Sequence, residues 1–162
     1  MDFERYTERA RAAVQSAQTS ALAGGHPQIL PEHLIKAMFN DRDRLALNLI
    51  RAAGGDPDLA NANIDKLLAA LPRSTGGSQP GLSQDLARLF QQAEEEATKA
   101  GDDYVTTERL LVALAKEGGE AAKVLKNAGV TPKGLEDAAV AVAGEGGVVA
   151  DVLEGDRPGE RV

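Results

Sequence analysis

The side chains able to carry chemistry are few, and their spacing argues against catalysis. His26 and His33 are the only histidines and cysteine is absent, so two imidazoles stand without the further ligands a structural zinc requires. They read as a loop residue and a helix-surface residue. No G-x-x-x-x-G-K followed by Ser or Thr occurs, and Gly144-Glu145-Gly146-Gly147 precedes no lysine, so a nucleotide would find neither a phosphate cradle nor its lysine. A G-x-S-x-G elbow and an H-E-x-x-H pair are missing too, which leaves hydrolysis without a carrier. The expectation is no catalytic residue, no metal site and no cofactor in this chain.

What remains is recognition. Asp102 and Asp103 precede Tyr104, and Glu108 falls in the first turn of a helix, where a carboxylate meets the positive end of the dipole. An acidic rim around an apolar groove would favour basic and apolar chain segments; plain loop solvation is the other reading of the same aspartates. Thr7 is placed to cap a helix through its hydroxyl, an ordinary structural job that contributes ~1 kcal/mol. Glu94-Glu95-Glu96 reads as a solvated face.

These residues are positioned by a duplicated unit. Thr7 through Phe39 overlays Ser83 through Ala115 at a constant offset of 76 residues, and such self-similarity is the signature of a repeat. Ala17, Ala21, Gly25, Glu32, Leu34 and Ala37 fall on Ala93, Ala97, Gly101, Glu108, Leu110 and Ala113. After a one-residue deletion, Leu49-Ile50 pairs with Val124-Leu125 and Ala53-Gly54 with Ala128-Gly129. Phe90 stands in register with Val14, which makes it a core residue more than a groove residue.

Each copy reads as four helices. In the first, Thr7 caps a helix whose Ala10, Ala13, Val14, Ala17 and Ala21 form one face. Gly24-Gly25 ends it, Pro31 opens a second helix to Phe39, and Leu45 to Ala53 forms a third. Asp56-Pro57 starts a fourth, with Leu59, Ile64, Leu67, Leu68 and Leu71 facing inward. The expected fold is all-α: two tandem four-helix repeats, 1–72 and 83–143, related by a pseudo-twofold axis and packed as one domain with a groove at their seam. A unit of about 70 residues has a marginal core by itself, which is the reason to pack the copies together. Residues 73–82, with Ser-Thr-Gly-Gly-Ser, read as a flexible connector. Residues 144–162 carry five carboxylates and two arginines and read as an acidic, glycine-rich, disordered tail, with Val148 to Leu153 as an isolated apolar run able to form a short helix or strand.

A net charge of −7 and a pI near 4.9 repel phosphate backbones and anionic lipid, so nucleic-acid and membrane partners are excluded. No signal peptide opens the chain and no apolar run approaches the roughly 20 residues of a membrane helix. A cytoplasmic protein is expected.

Pro31-Glu32-His33-Leu34-Ile35-Lys36-Ala37-Met38, echoed as Thr107-Glu108-Arg109-Leu110-Leu111-Val112-Ala113-Leu114, resembles the duplicated Clp N motif of bacterial AAA+ unfoldases. The resemblance runs from Met1 to about Val142. Ser83-Gln84-Asp85-Leu86 followed by Gly101-Asp102-Asp103-Tyr104-Val105-Thr106-Thr107-Glu108 is similar to the ClpB-type second repeat. That resemblance implies a domain at the mouth of a hexameric ATP-driven ring, engaging unfolded or aggregated polypeptides and passing them to the pore together with the DnaK chaperone system. ATP and magnesium would belong to the full-length parent, and the isolated chain would be a monomer. It also implies Thr7, Asp102 and Glu108 as substrate-engaging residues and Phe90 as an apolar groove position. Gln92, Glu96 and Arg109 depart from the family's apolar preference and imply a more polar groove. ClpA- and ClpC-like relatives use the same scaffold to dock an adaptor protein, which stands as the competing reading.

Overall fold

The computed structural model describes residues 3–74 and 79–144. A 3-10 turn at Phe3–Arg5 leads into α1 (Glu8–Ala23), followed by α2 (Pro31–Phe39), α3 (Leu45–Ala52) and α4 (Pro57–Ala69); α5 (Gln84–Lys99), α6 (Thr107–Glu117), α7 (Glu120–Asn127) and α8 (Pro132–Gly144) repeat the order. The caps expected at Thr7 and Asp56 form. Oxygens of Thr7, Asp56, Ser83 and Thr106 each accept the backbone N–H three residues on, satisfying donors that a helix start otherwise leaves open.

Two short parallel contacts reveal how the copies are joined. Gln28–Ile29 (β1) pairs with Gly81–Leu82 (β2), and Tyr6 bridges Val105. The offset of 76 carries Tyr6 onto Leu82 and Ile29 onto Val105, so these are one contact seen twice: the segment leading into each copy's first helix pairs with the loop before the other copy's second helix. The cap residues belong to it, since Thr7 N donates to the Val105 carbonyl at 3.1 Å and Ser83 N to that of Ile29 at 3.0 Å. A single hydrophobic cluster runs through both copies, with α2 and α3 packed on α6, α4 on α7 and α3 on α8. Where the two later-helix corners meet, Asp56 N donates to the Ala128 carbonyl at 2.9 Å, and a Cβ on Gly55 would stand 2.4 Å from Val130 Cγ2. Only glycine permits that approach.

The structure departs from the sequence expectation in several places. Leu59, expected inward, is 42% exposed, because α4 buries Pro57, Ala60 and Ile64 instead. The connector's ends are held by the first copy: Arg73 Nε donates to the Gly24 carbonyl, Ser74 N to that of Gly25, and Gly81–Leu82 form β2. Its centre, 75–78, and the tail, 145–162, lie outside the described residues. The starts of α3 and α7 differ in chemistry: Arg44 takes a left-handed backbone (φ 58°, ψ 32°), whereas the equivalent Gly119 has φ 58° and ψ −118°, a region reserved almost entirely for glycine.

Candidate functional site

In the second copy, α5, the turn at 100–106, α6 and α8 enclose a groove of about 890 Å³. Its apolar surface comes from Ala100, Val112, Ala139 and Val140, and its rim carries Glu96, Asp102, Asp103, Glu108 and Glu136 with Lys99, Arg109 and Lys116 among them. Local sequence dictates the frame. Gly101 (φ 77°) turns the chain after α5, and Thr106 Oγ1 accepts the Arg109 N–H at 3.2 Å to start α6. Arg109 then reaches back to Asp102 at 2.6 Å, and Lys116 pairs with Glu136 at 3.3 Å, spacing the rim. Glu108 lines the groove with its Oε1 buried and without a hydrogen-bond partner among the described residues. A buried acceptor left unmade is costly, so it offers a place for the N–H or ammonium of a bound chain.

The same positions in the first copy are closed. His26 and His33 stand where Asp102 and Arg109 stand in the second, with ring nitrogens 2.8 Å apart. Leu30 has no side-chain oxygen to cap α2, so its own N–H donates to His33 Nδ1 at 2.9 Å. The His33 proton therefore sits on Nε2 and is donated to His26 Nδ1. His33 is fully buried, which corrects its reading as a surface residue, and burial together with His26 lowers its pKa from 6.5 to about 4. Lys36 Nζ, in place of Val112, binds Asn61 Oδ1 at 2.9 Å and Asp65 Oδ1 at 2.8 Å. Ile64, in place of Ala139, is fully buried. Glu32, the counterpart of Glu108, is buried as well, and desolvation raises its pKa.

Of the four residues singled out from sequence, the structure brings two into the groove, Asp102 and Glu108. Thr7 is fully buried as the α1 cap. Phe90 is fully buried in an edge-to-face cluster with Phe3 (5.5 Å) and Tyr6 (5.9 Å). Gln92, Glu96 and Arg109 all line the groove and make it polar at those points. Glu94 is not simply solvated, since the Tyr6 hydroxyl donates to its Oε2 at 2.7 Å. Of the groove expected between the first helix of each copy and the Gly101–Glu108 loop, the loop and α5 form part of the wall, whereas α1 contributes nothing to it. A smaller depression of about 360 Å³ does involve α1, lying between Arg9, the α2–α3 turn and Thr107.

Sequence reasoning missed Val112, Ala139 and Val140. Their signal was in the repeat alignment, where polar Lys36 and Asp65 become apolar Val112 and Val140; Val140 is 71% exposed.

No helix among the described residues is long and apolar enough to cross a membrane. No group of three or more His, Cys, Asp or Glu among them could hold a metal ion. Among the described residues, eight helices, none opened by a Walker-type sequence, make a small helical domain without a nucleotide-binding element. The chain is 50% identical over 137 residues to a protein named Chaperone protein ClpB from Rhizobium meliloti (strain 1021), covering 83% of this chain and 16% of that relative's length. Among solved structures, the N-terminal domain of Hsp104 from Candida albicans superposes with a TM-score of 0.76 at 19% identity, covering 87% of this chain and 93% of the other. A ClpV N-domain solved in complex with a VipB peptide superposes at 0.66 and 15% identity, covering 96% of this chain and 91% of that one. The family model of the Clp repeat (R) N-terminal domain matches residues 5–148, and the chain belongs to that family.

Proposed function

We propose that this chain is the polypeptide-engaging N-terminal domain of a ClpB-type ATP-dependent disaggregase, handing unfolded or aggregated chains to an AAA+ ring. The observation that carries the reading is the open groove of the second copy: an apolar surface of Val112, Ala139 and Val140 beside the unpartnered Glu108 Oε1, under a rim in which carboxylates outnumber cations. Such a surface accepts extended apolar segments with basic neighbours and no particular sequence. The identity to a ClpB chaperone supports the same assignment. The hexameric ring, the ATP and magnesium it uses, the partnership with the DnaK system and the cytoplasmic setting belong to this proposal, as does a monomeric state for the isolated chain.

A transient handling site holds its client weakly, so the expected dissociation constant lies between ~1 μM and ~1 mM, about 4 to 8 kcal/mol of binding energy. NMR titration with a permanently unfolded protein tests it. Shifts should cluster at Asp102, Tyr104, Glu108, Val112 and Val140; clustering on the first copy instead would overturn the assignment of the site. The VipB peptide held by a ClpV N-domain of the same fold favours a second reading, docking of one dedicated partner. Saturable binding of a single folded adaptor, with indifference to unfolded protein, would select it.

A further inference from the structure

The depression of about 360 Å³ between α1, the α2–α3 turn and the start of α6 holds two polar atoms that are buried without a partner among the described residues, Arg9 Nη1 and Asp41 Oδ2. Arg9 uses its other terminal nitrogen on Asp43 Oδ2, which leaves one donor over, and Asp41 leaves one acceptor. A buried donor and a buried acceptor left unmade are each costly, and the space greatly exceeds the roughly 30 Å³ that one water occupies in the liquid. Around the opening Arg9 and Arg42 offset Asp41 and Asp43. A neutral ligand that carries both an acceptor and a donor therefore fits better than an ion. Ala12 and Ala37 flank it with methyl groups, against which a short aliphatic stem can lie.

The second copy indicates which neutral group that is. At the offset of 76, Ser16 falls on Gln92, and two residues beyond Phe39 the same offset brings Asp41 onto Glu117. Gln92, with its amide in the orientation that its neighbours require, donates to Glu117 Oε1 at 2.9 Å and Oε2 at 3.0 Å. A glutamine carboxamide thus satisfies this carboxylate from within the second copy. Ser16, which lines the depression in the first copy, is too short to do the same, and Asp41 Oδ2 stays without a donor. Arg9 falls on Asp85, so the first copy adds a guanidinium where the second has a carboxylate.

We propose that this depression binds the side-chain carboxamide of a glutamine in a bound polypeptide, its NH2 donating to Asp41 Oδ2 and its carbonyl accepting from Arg9 Nη1. Thr107 lines the depression from α6, so the occupant touches both copies. The site is separate from the groove of the second copy, with which it shares no lining residue.

A capped pentapeptide, Gly-Ser-Gln-Ser-Gly, ended by a dimethylamide so that its glutamine carries the sole primary amide, tests this by NMR titration of the isotope-labelled full chain. Versions with Met or Glu in place of the Gln keep every main-chain peptide group and lack the carboxamide. Saturable shifts are expected at Arg9, Ser16 and Asp41 with the glutamine peptide alone. Asp41→Ala should weaken binding about tenfold or more, the loss of a hydrogen bond to a charged group. Ser16→Gln, which puts the second copy's residue beside Asp41, should block binding while the helical spectrum stays unchanged, since glutamine is a good helix former. No saturable shift in the first copy, equal shifts with all three peptides, or undiminished binding by either variant would overturn the proposal. The peptide offers no bulky apolar or basic side chain to the second-copy groove, so this test and the titration with unfolded protein can fail separately.

Discussion

His26 and His33 in one copy, and Asp102 and Arg109 in the other, occupy the same two places in the repeat and do opposite things. The imidazoles meet at 2.8 Å, with His33 wholly buried, and help close the space beside α1, α2 and α4. The ion pair meets at 2.6 Å with Asp102 half exposed and holds the rim of an open groove beside α5, α6 and α8. One backbone thus serves as scaffold in its first copy and as a presented surface in its second. Duplication makes this division possible because the pseudo-twofold contact needs only the leading segments and the shared core, leaving the outer faces free to diverge.

Phe90 and Val14 give the sharpest way to break the comparison. Phe90→Ala should cost roughly 3–5 kcal/mol, because it empties the cluster that holds Phe3 and Tyr6 and large-to-small core changes have that scale. Val14→Ala, at a partly buried position, should cost less than about 1.5 kcal/mol. Urea unfolding measures both. Equal losses would mean the second copy's first helix is no more central than the first copy's, and a stable Phe90→Ala that fails to bind polypeptide would return Phe90 to the groove.

Next in size is pH. His33 has its folded pKa depressed to about 4, so the neutral ring is favoured by folding; its contribution is complete above pH 6.5 and is lost as pH falls towards 4. The scale is on the order of 3 kcal/mol, from the size of the shift. Glu32 acts in the opposite sense: its carboxyl is raised by burial, so its contribution is present at low pH and lost as pH rises through its folded pKa. His33→Gln isolates the histidine, since a glutamine at this third helical position can still accept the Leu30 N–H. Its stability should no longer fall on acidification over the window in which the parent loses ground, as read from denaturation midpoints between pH 4 and 7; an unchanged slope would assign the dependence elsewhere.

Smaller still is the difference at the starts of α3 and α7. Gly119→Ala should cost about 1–3 kcal/mol, given its backbone angles, while Arg44→Gly should change stability by less than about 1 kcal/mol, because a left-handed residue already fits there. Thermal melts decide between them. The smallest stability effect belongs to the groove itself: Asp102→Ala with Glu108→Ala should alter folding by less than about 1 kcal/mol, as a half-exposed ion pair contributes little, yet weaken polypeptide binding several-fold in the NMR titration. Normal binding by this variant would leave both residues without a role in recognition.

The all-helical class, the eight helices, their caps and the duplication were legible from the chain alone. Each rests on local signals: alanine and leucine at helical spacing, an oxygen-bearing residue before a helix, glycine after it, and a constant offset of 76. Leu59 and His33 were misread because periodicity says which face is apolar but not how much of it a neighbour covers. For the same reason α1 was expected in a groove wall that α5, α6 and α8 supply with the 100–106 turn. Whether Val112 and Val140 line one opening, and whether Lys36 and Asp65 pair across the equivalent place, depends on residues from separate helices meeting in space. Thr7 is interior because the leading segment crosses to the other copy; the same crossing places Phe3 and Tyr6 against Phe90, which its register with Val14 had already marked as core. The chain alone determined what each helix is; tertiary packing decided which copy is closed and which is open, since burial is a property of neighbours far apart in sequence.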